Sequence, residues 1–337
     1  MTPGAPSDRC AAPRRVVAIG GGTGLPGVLH GLRELVDASS TSNLTAIVAM
    51  SDDGGSSGRL RRARGMPPPG DVRNCLLALS AEEDLLTGLF QHRYDDGAEL
   101  KGHNLGNLIL AALAEQTGSF MKAVEVSSRV LRTVGRILPV TLDDVRLEAT
   151  TRDGDVVYGE TAINASGEAI REVRLSPANA APAPGVVEAI READLVALGP
   201  GSLYTSLLPN LALPEVARAL RETSAVRVLV GNLVTECGEP HDLGLAGHLR
   251  AVRQQGGDVV DALLVHDGEI PADVRERYRD EGAIPLDPPQ PGELDIHVFS
   301  RCLVARGPKL RHESLATAEG LLAAWQAVNT AKMMEAP

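Results

Sequence analysis

Short apolar runs alternate with helically spaced apolar positions at both ends of the chain. Near the start, residues 16–19 form a β-branched run, residues 25–35 repeat at helical spacing, and residues 44–50 form a second apolar run. The alternation returns in the second half, with predicted helices at 186–193, 214–222, 244–254 and 315–328 and predicted strands at 195–198, 226–230, 262–265 and 296–304. Alternating strands and helices predict an α/β fold, a Rossmann-like parallel sheet with helices on both faces.

The middle of the chain follows another pattern. Apolar positions keep helical spacing from residue 75 to 131, and between residues 136 and 175 they form short runs. These runs predict strands at 145–150, 155–158, 161–165 and 170–175. We therefore expect one Rossmann-like domain over residues 14–330, with a helical plus β-rich insertion at about 83–180. Residues 1–13 are small, polar and proline-containing, and we expect a disordered tail there.

Composition narrows the choice of partners. The 337 residues include 33 Lys and Arg against 44 Asp and Glu, a net charge of −11, and only 2% aromatic residues. Nucleic-acid binders need a basic face or stacking aromatics, and membrane spans need a long apolar run, so we expect neither partner. The four cysteines lie far apart, which fits a reducing cytoplasm better than disulfides or zinc. His241 and His248 are expected at the surface.

The first predicted strand ends in a glycine-rich turn. GGGTG at Gly20–Gly24 leads directly into a predicted helix, so bare backbone amides and a helix N-terminus can together bind phosphate. Gly22, Gly24 and Gly27 also match the G-x-G-x-x-G fingerprint of dinucleotide-binding folds. One alternative is a tight turn without a ligand, and another is a nicotinamide site. The nicotinamide site is disfavoured because the acidic pair after the second strand opens a Gly/Ser/Arg-rich segment.

A polar segment over residues 51–74 follows the second predicted strand. It combines Asp52 and Asp53 with a GGSSG run, a basic run of four arginines over residues 59–64 and a Pro-Gly-Asp turn. Since it contains few apolar groups and many glycines, we predict a loop that binds phosphate or a metal-bridged phosphate. Arg59 is the predicted contact, whereas Arg61, Arg62 and Arg64 are expected to be solvated. The alternatives are a charged surface loop and, for the acidic pair, capping of local amides.

Three further polar segments are placed to complete a site at the carboxyl edge of the sheet. GHNLGN at 102–107 opens a predicted helix, GPGSLYTSLLPN at 199–210 follows a predicted strand, and Gly231–Asn232 ends the next strand. Helix capping, a plain connector and a structural role for His103 are the alternatives. The residues predicted to contact the ligand are Gly21, Gly22, Thr23, Gly24, Asp52, Asp53, Ser56, Arg59, Asp71, Arg73, Asn74, His103, Asn107, Gly199, Gly201, Ser202, Tyr204, Thr205, Asn210 and Asn232. No catalytic residue is assigned.

Seven sequence blocks in consistent order resemble the YvcK/CofD-like family, and more closely its YvcK branch, the gluconeogenesis factor or GlmR-like branch. The resemblance spans roughly residues 16–270. The blocks are IGGGTGL (19–25), SDDGGSSGRLR (51–61), PPGDVRNCLLAL (68–79), LFQHR (89–93), GHNLGNL (102–108), GPGSLYTSLLPNL (199–211) and GNLVTE (231–236). Two local departures are Pro26-Gly27 and the segment 237–240, and the second leaves the role of that segment open.

The resemblance implies a cytoplasmic regulatory protein that binds UDP-sugars, notably UDP-N-acetylglucosamine. It would link carbon metabolism to cell-wall precursor synthesis and cell morphogenesis, with a regulatory protein partner and a homodimeric state expected. The glycine-turn amides with Arg59 or Arg73 would hold the diphosphate. Asp52 and Asp53 would bind ribose hydroxyls or a magnesium ion, which makes Asp53 the candidate metal ligand and Mg²⁺ the candidate cofactor.

The other branch of the family implies a different function. CofD transfers a 2-phospho-L-lactyl group from a nucleotide-linked donor to a deazaflavin alcohol with magnesium. In that reading Asp53 or Asp71 would hold the metal at the transferring group. Here the acidic pair is followed by GGSSGRLR and PPGDVRN, which is the pattern of the YvcK branch. The transferase is therefore the alternative and the regulator the leading interpretation.

Overall fold

The computed structural model of the protein contains a parallel sheet and a smaller antiparallel sheet. It describes residues 12–35, 43–81, 85–97, 99–236, 239, 243–307 and 309–335. The strands are β1 (Val16–Gly20), β2 (Leu44–Val48), β3 (Arg136–Pro139), β4 (Arg146–Thr151), β5 (Val156–Tyr158), β6 (Ile170–Ser176), β7 (Leu195–Leu198), β8 (Val226–Val230), β9 (Ala262–His266) and β10 (His297–Arg301). Seven of them form the parallel sheet in the order β10-β9-β8-β7-β1-β2-β3.

The order in which strands are added to the sheet reverses at β1. Ile19 pairs with Ile47 of β2 on one side and with Leu198 of β7 on the other. Strands β2 and β3 thus lie on one side of β1, and strands β7 to β10 lie on the other side. In such a doubly wound sheet, ligands bind at the carboxyl edge where the order reverses. That edge lies between the glycine turn after β1 and the 199–210 segment after β7.

Helices cover both faces of the sheet. They are α1 (Gly24–Leu35), α2 (Gly55–Arg64), α3 (Gly70–Leu79), α4 (Leu85–Gln91), α5 (Leu105–Thr117), α6 (Phe120–Val130), α7 (Glu160–Ser166), α8 (Val186–Arg191), α9 (Leu208–Leu211), α10 (Pro214–Glu222), α11 (Gly244–Gly256), α12 (Ala272–Asp280) and α13 (Ser314–Glu335). One layer contains α1, α3 and α13, and the other contains α8, α10 and α11. Strands β1, β2, β7, β8 and β9 are buried along their whole length, as a sheet covered on both faces requires. The predicted fold class is confirmed.

The segment 51–74 is not the single loop that its composition predicted. It forms α2 and the start of α3, separated by a short connector. Its glycines permit close helix packing, since a Cβ on Gly70 would lie 2.4 Å from Ser57 Oγ. Arg61, expected to be solvated, is only 9% exposed, and its guanidinium donates to Asp144 at 2.6 Å and to the carbonyl of Val145. The polar composition concealed these packing contacts.

The predicted insertion also differs in detail. Strand β3 belongs to the parallel sheet, where it pairs with β2, so the 83–180 block consists of a helical part before β3 and a β-rich part after it. In the β-rich part, β4, β5 and β6 form an antiparallel sheet, but the predicted strand 161–165 is the helix α7. Its first turn is capped by Asp53, a residue more than 100 positions earlier, which local propensity cannot reveal.

Other expectations can be placed within the described residues. The predicted tail at 1–13 lies almost entirely outside them, as does His241. His248 is buried and not at the surface. Of the cysteines, Cys75 is buried and Cys302 exposed, and both are free thiols. Among the described helices, none combines the length and apolar character needed to cross a membrane.

Candidate functional site

The two glycine-rich segments after β1 and β7 pack directly against each other. A Cβ on Gly24 would lie 2.3 Å from the carbonyl oxygen of Pro200, so only glycine fits there. Asn232 ties the 199–210 segment to the end of β8: its side chain accepts from Gly201 N at 3.2 Å and donates to Gly201 O at 2.9 Å. Part of the glycine requirement therefore comes from packing between loops and not from ligand approach.

A carboxylate occupies the glycine turn. Asp71, in the first turn of α3, accepts a 2.7 Å hydrogen bond from the backbone N–H of Gly22. Burial and the charge of Asp52 raise the pKa of Asp71 to about 6, although the Gly22 hydrogen bond and Arg73 act in the opposite direction. A phosphate bound at the Gly22 amide would have to displace this carboxylate.

The acidic pair after β2 is engaged in local structure. Asp52 Oδ1 accepts from the backbone N–H of Gly54 at 2.9 Å. Asp53 Oδ1 accepts from both the backbone N–H and the hydroxyl of Thr161, at 2.9 and 2.6 Å. The Asp53 side chain thus caps the first turn of α7 from a distant part of the chain and fastens the antiparallel sheet unit to the carboxyl edge of β2.

Glu160 is a site residue that sequence reasoning missed. It opens α7 and lies among Asp52, Asp53, Asp71 and Glu236, which with Glu160 itself form the carboxylate cluster. Burial and these four like charges raise the pKa of Glu160 to about 9, so its carboxyl group is protonated at neutral pH. No local motif marks it, because its surroundings come from distant parts of the chain.

Positive charge gathers beside the carboxylate cluster. The arginine cluster consists of Arg59, Arg73 and Arg93, together with His103. Arg59 donates to Lys101 O at 2.8 Å, Arg93 donates to Gly102 O at 2.8 Å, and His103 Nδ1 lies 3.0 Å from Ser56 Oγ. Arg93 belongs to the LFQHR block but was not predicted as a ligand contact.

Arg73 is the buried member of the arginine cluster, with 9% of its surface exposed. Its guanidinium donates to the side-chain oxygens of Asn107 at 3.2 Å and Asn74 at 2.6 Å, and its Nε atom has no partner. In the described part of the chain, no carboxylate oxygen lies within 4.0 Å of Arg59, Arg73 or Arg93. The cluster therefore contains cations held by neutral oxygens, which leaves their charge available to an anion.

The segment after β7 is largely buried. It begins with a π-helical turn (Leu203–Leu207) that continues into α9. Ser202, Tyr204 and Thr205 are at most 8% exposed, and burial raises the pKa of Tyr204 to about 12. Asn210 is fully buried, and its amide donates to Ser206 O and Gly20 O at 2.8 and 3.4 Å. The Asn210 amide thus ties the segment to the end of β1, whereas Thr23 of the glycine turn is exposed.

A buried histidine–glutamate pair contacts the same segment. His248 Nε2 of α11 lies 3.3 Å from Glu239 Oε2, and both side chains are at most 4% exposed. Glu239 also accepts from the backbone N–H of Leu203 at 3.4 Å, at the start of the π-helical turn. The sequence provided no signal for this pair, since its members lie on different segments.

A preformed metal site is not found among the described residues. No three His, Cys, Asp or Glu side chains are grouped there so that they could hold an ion. One carboxylate oxygen each of Asp52, Asp53 and Asp71 accepts a hydrogen bond from a backbone amide. Among the described residues, the carboxylates are therefore not already grouped around a magnesium position.

An open depression at the opposite edge of the sheet offers a contrast. It is lined by Arg253, Asp258, Asp261 and Asp295, among others, where β9 and β10 begin. Its cation is already neutralised, since Arg253 lies 2.7 Å from Asp295. The carboxyl edge, with its unpaired arginines, is the better anion site.

Comparison with known proteins shows the family of the chain. The family model described as 2-phospho-L-lactate transferase CofD matches residues 16–303. The chain belongs to the CofD family. The match includes every residue of the carboxylate and arginine clusters.

Several curated proteins that resemble the chain are named gluconeogenesis factors. It is 44% identical to the gluconeogenesis factor of Bacillus subtilis, over 81% of this chain and 85% of that protein. It is 45% identical to the putative gluconeogenesis factor of a Nostoc species, over 81% of this chain but only 59% of that longer protein. The crystal structure of protein BH3568 from Bacillus halodurans is 40% identical and superposes with a TM-score of 0.87, covering 92% of this chain and 99% of that chain.

Proposed function

We propose that this protein binds UDP-sugars, notably UDP-N-acetylglucosamine, and acts as a regulator of the gluconeogenesis factor type. The observation that carries the proposal is the arginine cluster at the carboxyl edge, where Arg59, Arg73 and Arg93 have no carboxylate partner among the described residues. Arginine binds phosphate oxygens through paired N–H donors, so the cluster fits the diphosphate of a nucleotide-linked ligand.

The neighbouring carboxylate cluster supports a sugar at the other end of that ligand. Sugar hydroxyls donate to carboxylates, and the protonated Glu160 can donate to a sugar oxygen in return. Because Asp53 caps α7, we assign it to positioning this part of the site and retain Asp52 as the predicted hydroxyl contact. The bound ligand would lie between the two clusters.

The wider biological role is proposed from the relatives' names. Several similar curated proteins are called gluconeogenesis factors, which supports a link to carbon metabolism. We extend this to control of cell-wall precursor supply and cell shape in the cytoplasm, through a protein partner and as a homodimer. Changes in sugar-nucleotide level would then alter the partner's activity.

Calorimetric titration with UDP-N-acetylglucosamine tests the proposal. We expect Arg59→Ala to lose roughly 1.5–3 kcal/mol of binding, as for a charge-assisted hydrogen bond. Arg62→Ala, an exposed change on the same helix, is the matched control and should lose little. No binding by the unsubstituted protein, or equal losses in the two variants, would count against the proposal.

A second candidate is the CofD-type transfer of a 2-phospho-L-lactyl group. It is favoured by the description of the family model, which matches most of the chain. Because the described carboxylates are not grouped around a metal position, we derive no step through magnesium. Incubation with the nucleotide-linked donor, magnesium and a deazaflavin acceptor separates the candidates, since turnover would establish the transferase and binding without turnover the regulator.

A further inference from the structure

The carboxyl ends of β9 and β10 bring a histidine and a cysteine together. His266 is the last residue of β9 and pairs with Arg301, the last residue of β10. Cys302 follows directly in the chain, and it is an exposed free thiol. Neither His266 nor Cys302 belongs to the carboxylate cluster or the arginine cluster, so this pair is separate from the proposed ligand site.

Hydrogen bonds to the ring of His266 determine which nitrogen carries its proton. His266 Nδ1 accepts from the backbone N–H of Leu303 at 3.0 Å and from that of Gly268 at 3.4 Å. Burial lowers the pKa of His266, and the charge of Asp267 only partly offsets this effect, so the ring is neutral at neutral pH. A neutral imidazole whose Nδ1 accepts carries its proton on Nε2. His266 Nε2 is therefore a hydrogen-bond donor.

This donor lacks an acceptor. His266 is only 6% exposed, and in the part of the chain that the structure describes its Nε2 atom has no hydrogen-bond partner. A buried donor left unpaired is costly and points to an acceptor that binds there.

A glycine leaves space between the donor and the thiol. A Cβ on Gly268 would lie 3.1 Å from His266 Nε2 and 3.2 Å from Cys302 Sγ, and it would clash with the imidazole ring at 2.5 Å from Cε1. Because the φ of Gly268 lies outside the left-handed region, the glycine is needed for space and not for backbone conformation. His266 Nε2 and Cys302 Sγ thus border one small space that a side chain at position 268 would fill.

We propose that Cys302 is a redox modification site, where a hydroperoxide oxidises the thiol to a sulfenic acid whose oxygen accepts the Nε2–H hydrogen bond of His266. The thiol first releases its proton to solvent, and the thiolate sulfur attacks one peroxide oxygen. The S–O bond forms as the O–O bond breaks, and the departing hydroxide takes up a proton to become water. Sulfur is oxidised and the peroxide is reduced. His266 positions the new oxygen and is itself unchanged.

The other described cysteine provides an internal reference. Cys75 of α3 is fully buried, and burial raises the pKa of its thiol well above the usual range. Since the thiolate is the form that reacts, Cys75 should remain reduced under conditions that oxidise Cys302.

Trapping with dimedone, which labels sulfenic acids, tests the proposal. The reduced protein is treated with hydrogen peroxide in the presence of dimedone, and peptide mass spectrometry measures the label on each cysteine. We expect label on Cys302 and none on Cys75. Gly268→Ala should lower the labelling of Cys302 by about 10-fold or more, as loss of the hydrogen bond implies. Gly88→Ala, where a Cβ meets nothing within 4 Å, is the control.

Two substitutions of His266 test the donor itself. His266→Leu removes it and should lower the labelling as Gly268→Ala does. His266→Gln supplies an amide that can both accept and donate, so it should restore most of the labelling. Thermal melting verifies folding, and if Gly268→Ala does not fold, the comparison of the two His266 variants decides.

Alkylation of unoxidised Cys302 by iodoacetamide measures access to the thiol separately, and we expect it to change little in these variants. An equal fall in alkylation and in labelling would mean that access and not the hydrogen bond controls the reaction, which would overturn the proposal. Absence of label on Cys302 in the unsubstituted protein, or equal labelling in the His266→Leu and His266→Gln variants, would overturn it as well.

Discussion

At the scale of single residues, the ionisation of Glu160 differs strongly between the folded and unfolded chain. Its pKa is raised to about 9 by burial and by Asp52, Asp71, Asp53 and Glu236. A carboxyl with a raised folded-state pKa contributes stability below its unfolded pKa, and that contribution is lost as pH rises toward 9. Ligand binding next to such a group should be linked to proton uptake or release.

Glu160→Gln should therefore stabilise the protein at alkaline pH. The amide has the shape of the protonated acid but cannot ionise, so we expect a gain of about 1–3 kcal/mol at pH 8 and little change at pH 4.5. Urea denaturation at the two pH values measures it. Glu168→Gln, an exposed change in the same insertion, is the control. An equal effect of Glu160→Gln at both pH values would contradict the assigned protonation.

At the scale of elements, Asp53 joins the loop after β2 to α7 through two hydrogen bonds to Thr161. Asp53→Ala should cost about 1–2 kcal/mol, as for loss of a helix cap, and should speed hydrogen exchange in β4, β5 and β6. Asp153→Ala, at an exposed turn of the same unit, should do neither. Unchanged exchange in the Asp53 variant would mean that the cap does not hold the unit in place.

Helix α1 provides a paired test of the contact between the two glycine segments. Gly24→Ala would place a Cβ 2.3 Å from Pro200 O, whereas Gly27→Ala meets nothing within 4 Å. We expect Gly24→Ala to destabilise by roughly 2–4 kcal/mol and Gly27→Ala to stabilise by about 0.5–1 kcal/mol. Denaturant midpoints give both values. A tolerated Gly24→Ala would show that the loops can separate without cost.

Some of these elements could be predicted from the sequence, and others could not. The strands at 195–198 and 226–230 and the helix at 214–222 were predicted with their observed bounds, because their apolar spacing follows the period of the element. The α2 helix and α7 were missed, since contacts distant in sequence decide them: Gly70 against Ser57, and Asp53 against Thr161. Site residues in motifs that follow strands could be predicted from the sequence. Glu160 and Arg93 could not, because the residues around them come from distant parts of the chain.

At the scale of the whole molecule, buried His312 should make stability sensitive to mild acid. Burial lowers its pKa to about 4, although its hydrogen bond to Gly231 O acts in the opposite direction. The unfolded chain takes up this proton near pH 6.5, so stability falls as pH drops from about 6.5 toward 4, by up to roughly 3 kcal/mol. His312→Gln should reduce this pH dependence in urea denaturation, and exposed His30→Gln should not. Identical slopes in all three proteins would exclude His312 as the cause.

The most direct test of the account is a crystal structure of the protein with UDP-N-acetylglucosamine. We predict the ligand at the carboxyl edge between β1 and β7, with diphosphate oxygens within hydrogen-bonding distance of Arg59 and Arg93 and the sugar toward Glu160. A ligand in the depression beside Arg253 and Asp295, or one whose phosphates touch no member of the arginine cluster, would contradict the central claim.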